Sequence, residues 1–128
     1  MEQIISLAVH RLTRRSDFQV CYDKGRRHYT ANCIMFVCAR ADGPPQWRVG
    51  FAVRKKVGHA VLRNRVKRVL REFFRLYGQE LPARTDLVVV AKRHFSADTF
   101  SLSSAKAELL PLIEKIIRVS CSNGVSSL

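Results

Sequence analysis

Residues 60–77 read Ala-Val-Leu-Arg-Asn-Arg-Val-Lys-Arg-Val-Leu-Arg-Glu-Phe-Phe-Arg-Leu-Tyr, and no other stretch restricts the fold of this chain as strongly. With Leu62 at 0° and about 100° per residue, Leu62, Val66, Val69, Leu70, Phe73, Leu76 and Tyr77 fall within roughly −40° to +80°. The pattern predicts a helix that lays one apolar stripe on a core. Arg63, Asn64, Lys67, Arg68, Arg71 and Arg75 share the opposite arc, and only Arg65 departs, near about 300°. Arg63, Lys67, Arg71 and Arg75 follow one another a turn apart, and like charges so spaced each cost an isolated helix about 0.2–0.5 kcal/mol. Glu72, four residues after Arg68, is the only local relief. A solvated basic face is one account of this arc. The excess of arginine over lysine favours another, a phosphate-bearing partner, because the planar guanidinium matches phosphate bidentately and stacks on bases.

The charge is concentrated rather than spread. Arg54-Lys55-Lys56-Val57-Gly58 immediately precedes this helix, and residues 48–75 hold ten Lys or Arg against Glu72, so they supply +9 of the net +13. In a 128-residue chain that is 47% apolar, enough for one folded domain, such a surplus points to nucleic acid. The longest apolar run, Cys33 to Ala39, falls far short of the roughly 18–20 residues of a membrane span, so no membrane partner is expected. Met1 to Val9 carries Glu2 and no basic leader, unlike a signal peptide, which makes a cytoplasmic location the expectation. Cys21, Cys33, Cys38 and Cys121 form no C-x-x-C pair and read as reduced thiols packed like small apolar residues, without disulfide or metal.

Around the basic helix the pattern predicts an α+β domain over residues 1–119. Ser16 is placed to cap a helix from about Asp17 to Lys24, with Phe18, Cys21 and Tyr22 on its apolar face and Gly25 as its stop. Strands are expected from Tyr29 to Ala39 and from Trp47 to Val53, the second alternating Trp47, Val49, Phe51 and Val53 against Arg48, Gly50 and Ala52. The loop over 41–46 between them suggests an antiparallel hairpin. Asp86 to Ala91 suits a strand buried on both faces, and Leu102 to Val119 a helix that Pro111 kinks or restarts. Residues 120–128 read as a disordered tail. The order helix, hairpin, helix, strand, helix makes one sheet with three helices.

At this point the residues carry a resemblance. Val53-Arg54-Lys55-Lys56-Val57-Gly58-His59-Ala60-Val61-Leu62-Arg63-Asn64-Arg65-Val66-Lys67-Arg68, followed by Arg71-Glu72 and Phe74-Arg75, closely resembles the signature of the bacterial ribonuclease P protein subunit. Arg11-Leu12, Asp17-Phe18 with Val20, Tyr22 and Gly25, the strand from Arg48 and the strand after Asp86 fall in that family's order. The resemblance implies a four-stranded sheet with three helices and a left-handed β-α-β crossover, against the usual right-handed rule. It implies two partners, ribonuclease P RNA and precursor tRNA, and no DNA; the RNA cleaves the 5′ leader with Mg2+ held mainly by that RNA and none bound by the protein alone. Carried over by position, Arg54, Lys55, Lys56, Arg63, Asn64, Arg65, Lys67, Arg68, Arg71 and Arg75 are expected at RNA, and Phe18 and Tyr22 in a cleft for the single-stranded leader. Arg54 stands where a small residue is frequent, and Tyr22 where Phe is common.

Read from spacing alone, Phe18 and Tyr22 pack into the core; the resemblance reverses that order and assigns their rings to unpaired bases. Trp47 reads as core or hairpin edge. His10, His28, His59 and His94 have no partners at catalytic or metal-binding spacing, and the ten acids form no cluster that would hold catalytic ions. No catalytic residue is therefore assigned to the polypeptide. The rival function is an RNA-binding module of ribosomal-protein type, which would leave precursor processing unaffected.

Overall fold

The computed structural model describes residues 7–92, 97 and 99–126, with side chains at 9–92, 97 and 99–119. Its elements are α1 (Arg15–Lys24), β1 (Arg26–Tyr29), β2 (Cys33–Ala39), β3 (Arg48–Ala52), α2 (Ala60–Tyr77), β4 (Thr85–Ala91) and α3 (Leu102–Ser126). The strands form one sheet in the order β1-β2-β4-β3. β4 is buried at every position, as an unbroken β-branched run requires when both faces are covered. Its alternation divides the core. Leu87 and Val89 face α2 and α3 together with Met35, Val49, Val66, Leu70 and Ile113. Val88 and Val90 join Leu12, Cys21 and Phe36 in a smaller cluster on the other face, which α1 covers.

The expected hairpin between the second and third strands does not form. β2 and β3 lie on opposite sides of β4, antiparallel and parallel to it respectively, and α2 is the crossover between the parallel pair. The hairpin lies instead at the start of the stretch expected as one strand from Tyr29 to Ala39: Arg26–Tyr29, mostly ahead of it, pairs with Ile34–Val37 around a turn at residues 30–32. Asp86, at the start of β4, explains the insertion. Its buried carboxylate accepts from Arg40 Nε at the end of β2 (2.8 Å) and from Arg48 Nε and Nη2 on β3 (2.9 and 2.7 Å), which seats β4 between them. Arg40 also donates to the carbonyls of Asp42, Pro44 and Gln46, holding the intervening loop too wide for a tight turn.

Three boundaries differ as well. α1 begins at Arg15, with Arg14 at the cap position and no side-chain cap, so Ser16 lies inside the helix. Pro111 neither ends nor restarts α3. It is exposed, while Leu109 and Ile113 on either side are fully buried, and that burial offsets the lost backbone bond. α3 continues past Val119 to Ser126, through residues expected in the tail; once a helix is nucleated each further residue adds a hydrogen bond. Residues 127–128, His94 and most of the 1–9 segment lie outside the described residues, as does the Cys121 side chain. No helix among the described residues is long and apolar enough to cross a membrane.

Candidate nucleic-acid interface

α2 buries Val66, Leu70, Phe73 and Phe74, and leaves Leu62, Val69, Leu76 and Tyr77 partly covered. The apolar stripe is thus broader than the periodicity indicates. Phe74, about 120° from Leu62, sits at the edge of the basic arc but packs on Trp47 and Phe51, with centroids 6.3 and 5.8 Å away. Phe51 of the edge strand β3 and Trp47 just ahead of it are what bury it.

The basic residues do not act as one row. Arg54, Lys55 and Lys56 are exposed at a 3-10 turn between β3 and α2, and Asn64 and Arg68 are exposed on the helix. Arg63 turns back and donates from Nε to the carbonyl of Gly58 (3.1 Å). At the other end Arg75 donates to Glu72 (Nε 3.0 Å), the Arg75–Glu72 contact holding the carboxyl below and the guanidinium above their ordinary pKa values. Glu72 thus pairs forward with Arg75, not with Arg68. Arg65, the residue off the arc, donates to the carbonyl of Ala97 (2.9 Å) and leaves the row altogether. Arg48, counted in the cationic stretch, is bound to Asp86 and lies 3.5 Å from the carboxylate of Asp17, so it braces α1 on the sheet.

Between the two engaged ends, Lys67 and Arg71 line a cavity of about 260 Å³ shared with Arg11, Phe18, Gly50 and Phe51. α1 and α2 lie on opposite faces of the sheet, and they meet here because β3 is the edge strand. Residues 11–12 run along that edge, Leu12 N–H donating to Val49 O (3.0 Å), and deliver Arg11 to the cavity mouth. Gly50 is required by the fit: a Cβ there would stand 2.3 Å from Phe18 Cζ.

Phe18 continues into an aromatic cluster. Its ring is edge-on to Tyr22 at 6.5 Å, and Tyr22 is edge-on to Phe36 at 5.0 Å. Arg27 stands 5.6 Å over the Phe36 ring. Phe18 and Tyr22 are half-buried, so each both packs on the small core and keeps surface at the cleft with Thr13, Arg15 and Gln19. Burial raises the Tyr22 phenol, and the Arg54 charge acts against it. Phe36, Arg27, Arg11 and Gly50 were not among the sequence candidates. Alternation along β2 sets Phe36 with Ile34 and Cys38 on one face, but only the packing of α1 shows which face that is.

Two groups near or beyond the cleft have structural partners. His10 stacks on Trp47 at 4.0 Å with Nδ1 2.7 Å from the Trp47 carbonyl. Glu108 on α3 accepts from Thr30 Oγ1 and from Asn32 N and Nδ2 (both 2.8 Å), clamping the β1–β2 turn. With Asp86 and Glu72 also paired, no group of three His, Cys, Asp or Glu comes together among the described residues, and the donors do not fit a divalent ion.

Comparison with known proteins agrees with the arrangement. The chain matches the ribonuclease P family over residues 8–116. It is 52% identical over 106 residues to the ribonuclease P protein component of Oleidesulfovibrio alaskensis, covering 83% of this chain and 85% of that protein. It is 47% identical over 108 residues to that of Desulfovibrio desulfuricans, covering 84% and 83%. Among solved structures, the RNase P protein of Thermotoga maritima superposes with a TM-score of 0.72 at 27% identity, over 83% of this chain and 96% of that one. The Staphylococcus aureus protein does so with 0.68 at 28%, over 87% and 94%. A basic crossover helix, an aromatic cleft beside it and this extent of similarity assign the chain to the ribonuclease P protein family.

Proposed function

We propose that this chain is the protein subunit of a bacterial ribonuclease P, binding the catalytic RNA and the 5′ leader of precursor tRNA and so promoting 5′ maturation in the cytoplasm. One observation carries the reading: Phe18 from α1 and Lys67 and Arg71 from α2 line the same cavity, so a stacking surface and phosphate-binding cations converge. The exposed residues Arg54, Lys55, Lys56, Asn64 and Arg68 extend the cationic surface outward to the RNA subunit, with Arg63, Arg65 and Arg75 flanking it. Phe18 and Tyr22, both half-buried at the cleft, offer ring surface to unpaired leader bases. Hydrolysis and its Mg2+ belong in this reading to the RNA subunit.

The chain's contribution is electrostatic and positional. Its cations offset phosphate repulsion between an RNA catalyst and an RNA substrate, which lowers the concentration of Mg2+ needed for both to approach. Reconstitution tests this. The polypeptide alone is expected not to cleave precursor tRNA, while polypeptide plus ribonuclease P RNA cleaves at lower magnesium than the RNA alone. An unchanged magnesium requirement would favour a general RNA-binding module instead.

A further inference from the structure

A second cationic site lies on the face of the sheet opposite the aromatic cleft. β1 pairs Arg26 with Val37 and His28 with Met35, and both partners pack in the core that α2 and α3 cover. Alternation therefore turns Arg26 and His28 toward α3 and Arg27 the other way, its guanidinium 5.6 Å over the Phe36 ring. Between β1 and α3 lies a cavity of about 460 Å³, large enough for a small organic ligand. Val37, Ile116 and Val119 supply apolar surface within it, and Pro82, just ahead of β4, adds a flat ring to its wall.

The charges around it come from two elements and share one sign. Arg26 and His28 stand on β1, Lys115 stands on α3, and no carboxylate lines the cavity. Elsewhere in the fold converging cations meet an acid: Arg40 and Arg48 share Asp86, and Arg75 takes Glu72. Arg26 and Lys115 have no ion pair among the described residues and are exposed on the two banks. His28, half-buried between them, is held below its ordinary pKa by burial and then by the charges of Lys115 and Arg26. The neighbouring segments of β2 and the loop before β4 contribute Val37, Ala39 and Pro82, none of them charged. Like charges gathered this way gain when an anion enters, and a guanidinium facing an ammonium suits a phosphate. The imidazole and Pro82 beside the apolar floor suit a planar body attached to it.

We propose that the cavity between β1 and α3 binds a phosphate monoester with a planar body, in class a nucleoside monophosphate, its phosphate held between Arg26 and Lys115 and its base against His28 and the apolar floor. A free nucleotide and the 5′-phosphorylated end of an RNA share this chemistry. In the full chain, AMP is titrated against the ring-proton resonances of His28, identified through His28→Gln. AMP is expected to bind with a Kd of about 1 mM or tighter and to raise the pH midpoint of His28, because the anion offsets the two cations that depress it. Inorganic phosphate and adenosine are each expected to bind at least about five-fold more weakly than AMP. Arg26→Gln and Lys115→Gln are each expected to weaken AMP at least about five-fold with circular dichroism unchanged, whereas Arg68→Gln, on the α2 surface, leaves the His28 response intact. An unmoved His28 midpoint, an equal response in Arg26→Gln and Lys115→Gln, or inorganic phosphate as effective as AMP would overturn the site. Equilibrium dialysis of labelled AMP against the particle assembled with ribonuclease P RNA separates the two sources. Binding that survives assembly marks a free nucleotide as the occupant; displacement by the RNA, with the salt slope of assembly lower by about one in Lys115→Gln, marks an RNA phosphate.

Discussion

Gly50 and Phe18 illustrate how one missing atom sets the site. Adding a methyl at Gly50 puts it 2.3 Å from Phe18 Cζ, so Gly50→Ala must displace the ring from the cavity it shares with Lys67 and Arg71. The expected result is a loss of at least about five-fold in the ratio of precursor to mature tRNA affinity, measured in the assembled particle, matching Phe18→Ala. An unchanged ratio in a folded Gly50→Ala protein would show that the ring does not hold the leader. The buried thiols make a separate statement. Burial pushes both Cys21 and Cys33 from 9.0 to about 12, with the Asp86 charge adding to Cys21 and Glu108 to Cys33. Native protein at pH 8 is therefore expected to be alkylated at half-buried Cys38 well before Cys21 or Cys33, as peptide mapping by mass spectrometry would show. The sign for stability follows from the same shift. A thiol that ionises later when folded favours the native state fully below pH 9, and that contribution disappears as pH rises from 9 toward 12.

At the scale of the element, α2 separates stability from binding by face. Leu70→Ala removes a fully buried side chain and is expected to cost about 2–5 kcal/mol, read as a lower melting temperature or urea midpoint. Arg68→Ala, on the exposed face, is expected to stay within about 0.5 kcal/mol while the salt dependence of RNA binding falls by about one unit of slope. Comparable losses of stability in both would contradict the division of the helix into two faces. The period of 3.6 made that division legible before any coordinates, because one apolar side chain per turn marks a face wherever the helix docks. Phe74 was not legible in the same way. Its burial depends on Phe51 of the edge strand β3 and on Trp47 just ahead of it, and nothing within the helix records those neighbours. The β1–β2 turn at Thr30, Ala31 and Asn32 was equally hidden. It has neither glycine nor proline, and its stability comes from Glu108, 76 residues from Asn32 along the chain.

Across the whole molecule, protection should follow the sheet order. β4 is central and buried throughout, whereas β1 pairs on one side only and carries Arg26, Arg27 and His28 along the free edge, charges that also discourage pairing with another chain. Native-state hydrogen exchange is expected to be slowest at Leu87–Val90 and fastest among strands in β1; equal protection of the two would contradict this order. By itself the sequence determined the basic helix and its faces, the buried final strand and the class of fold, since periodicity and β-branched runs are properties of neighbours along the chain. Only the tertiary structure decided that β4 inserts between β2 and β3, that α1 and α2 meet around the β3 edge, and which cations face the cavity. Those outcomes rest on Asp86 binding Arg40 and Arg48, on Glu108 holding a distant turn and on Glu72 taking Arg75. Most of these partners are far apart in sequence, and hydrogen-bonding geometry between such residues exists only after the chain has folded.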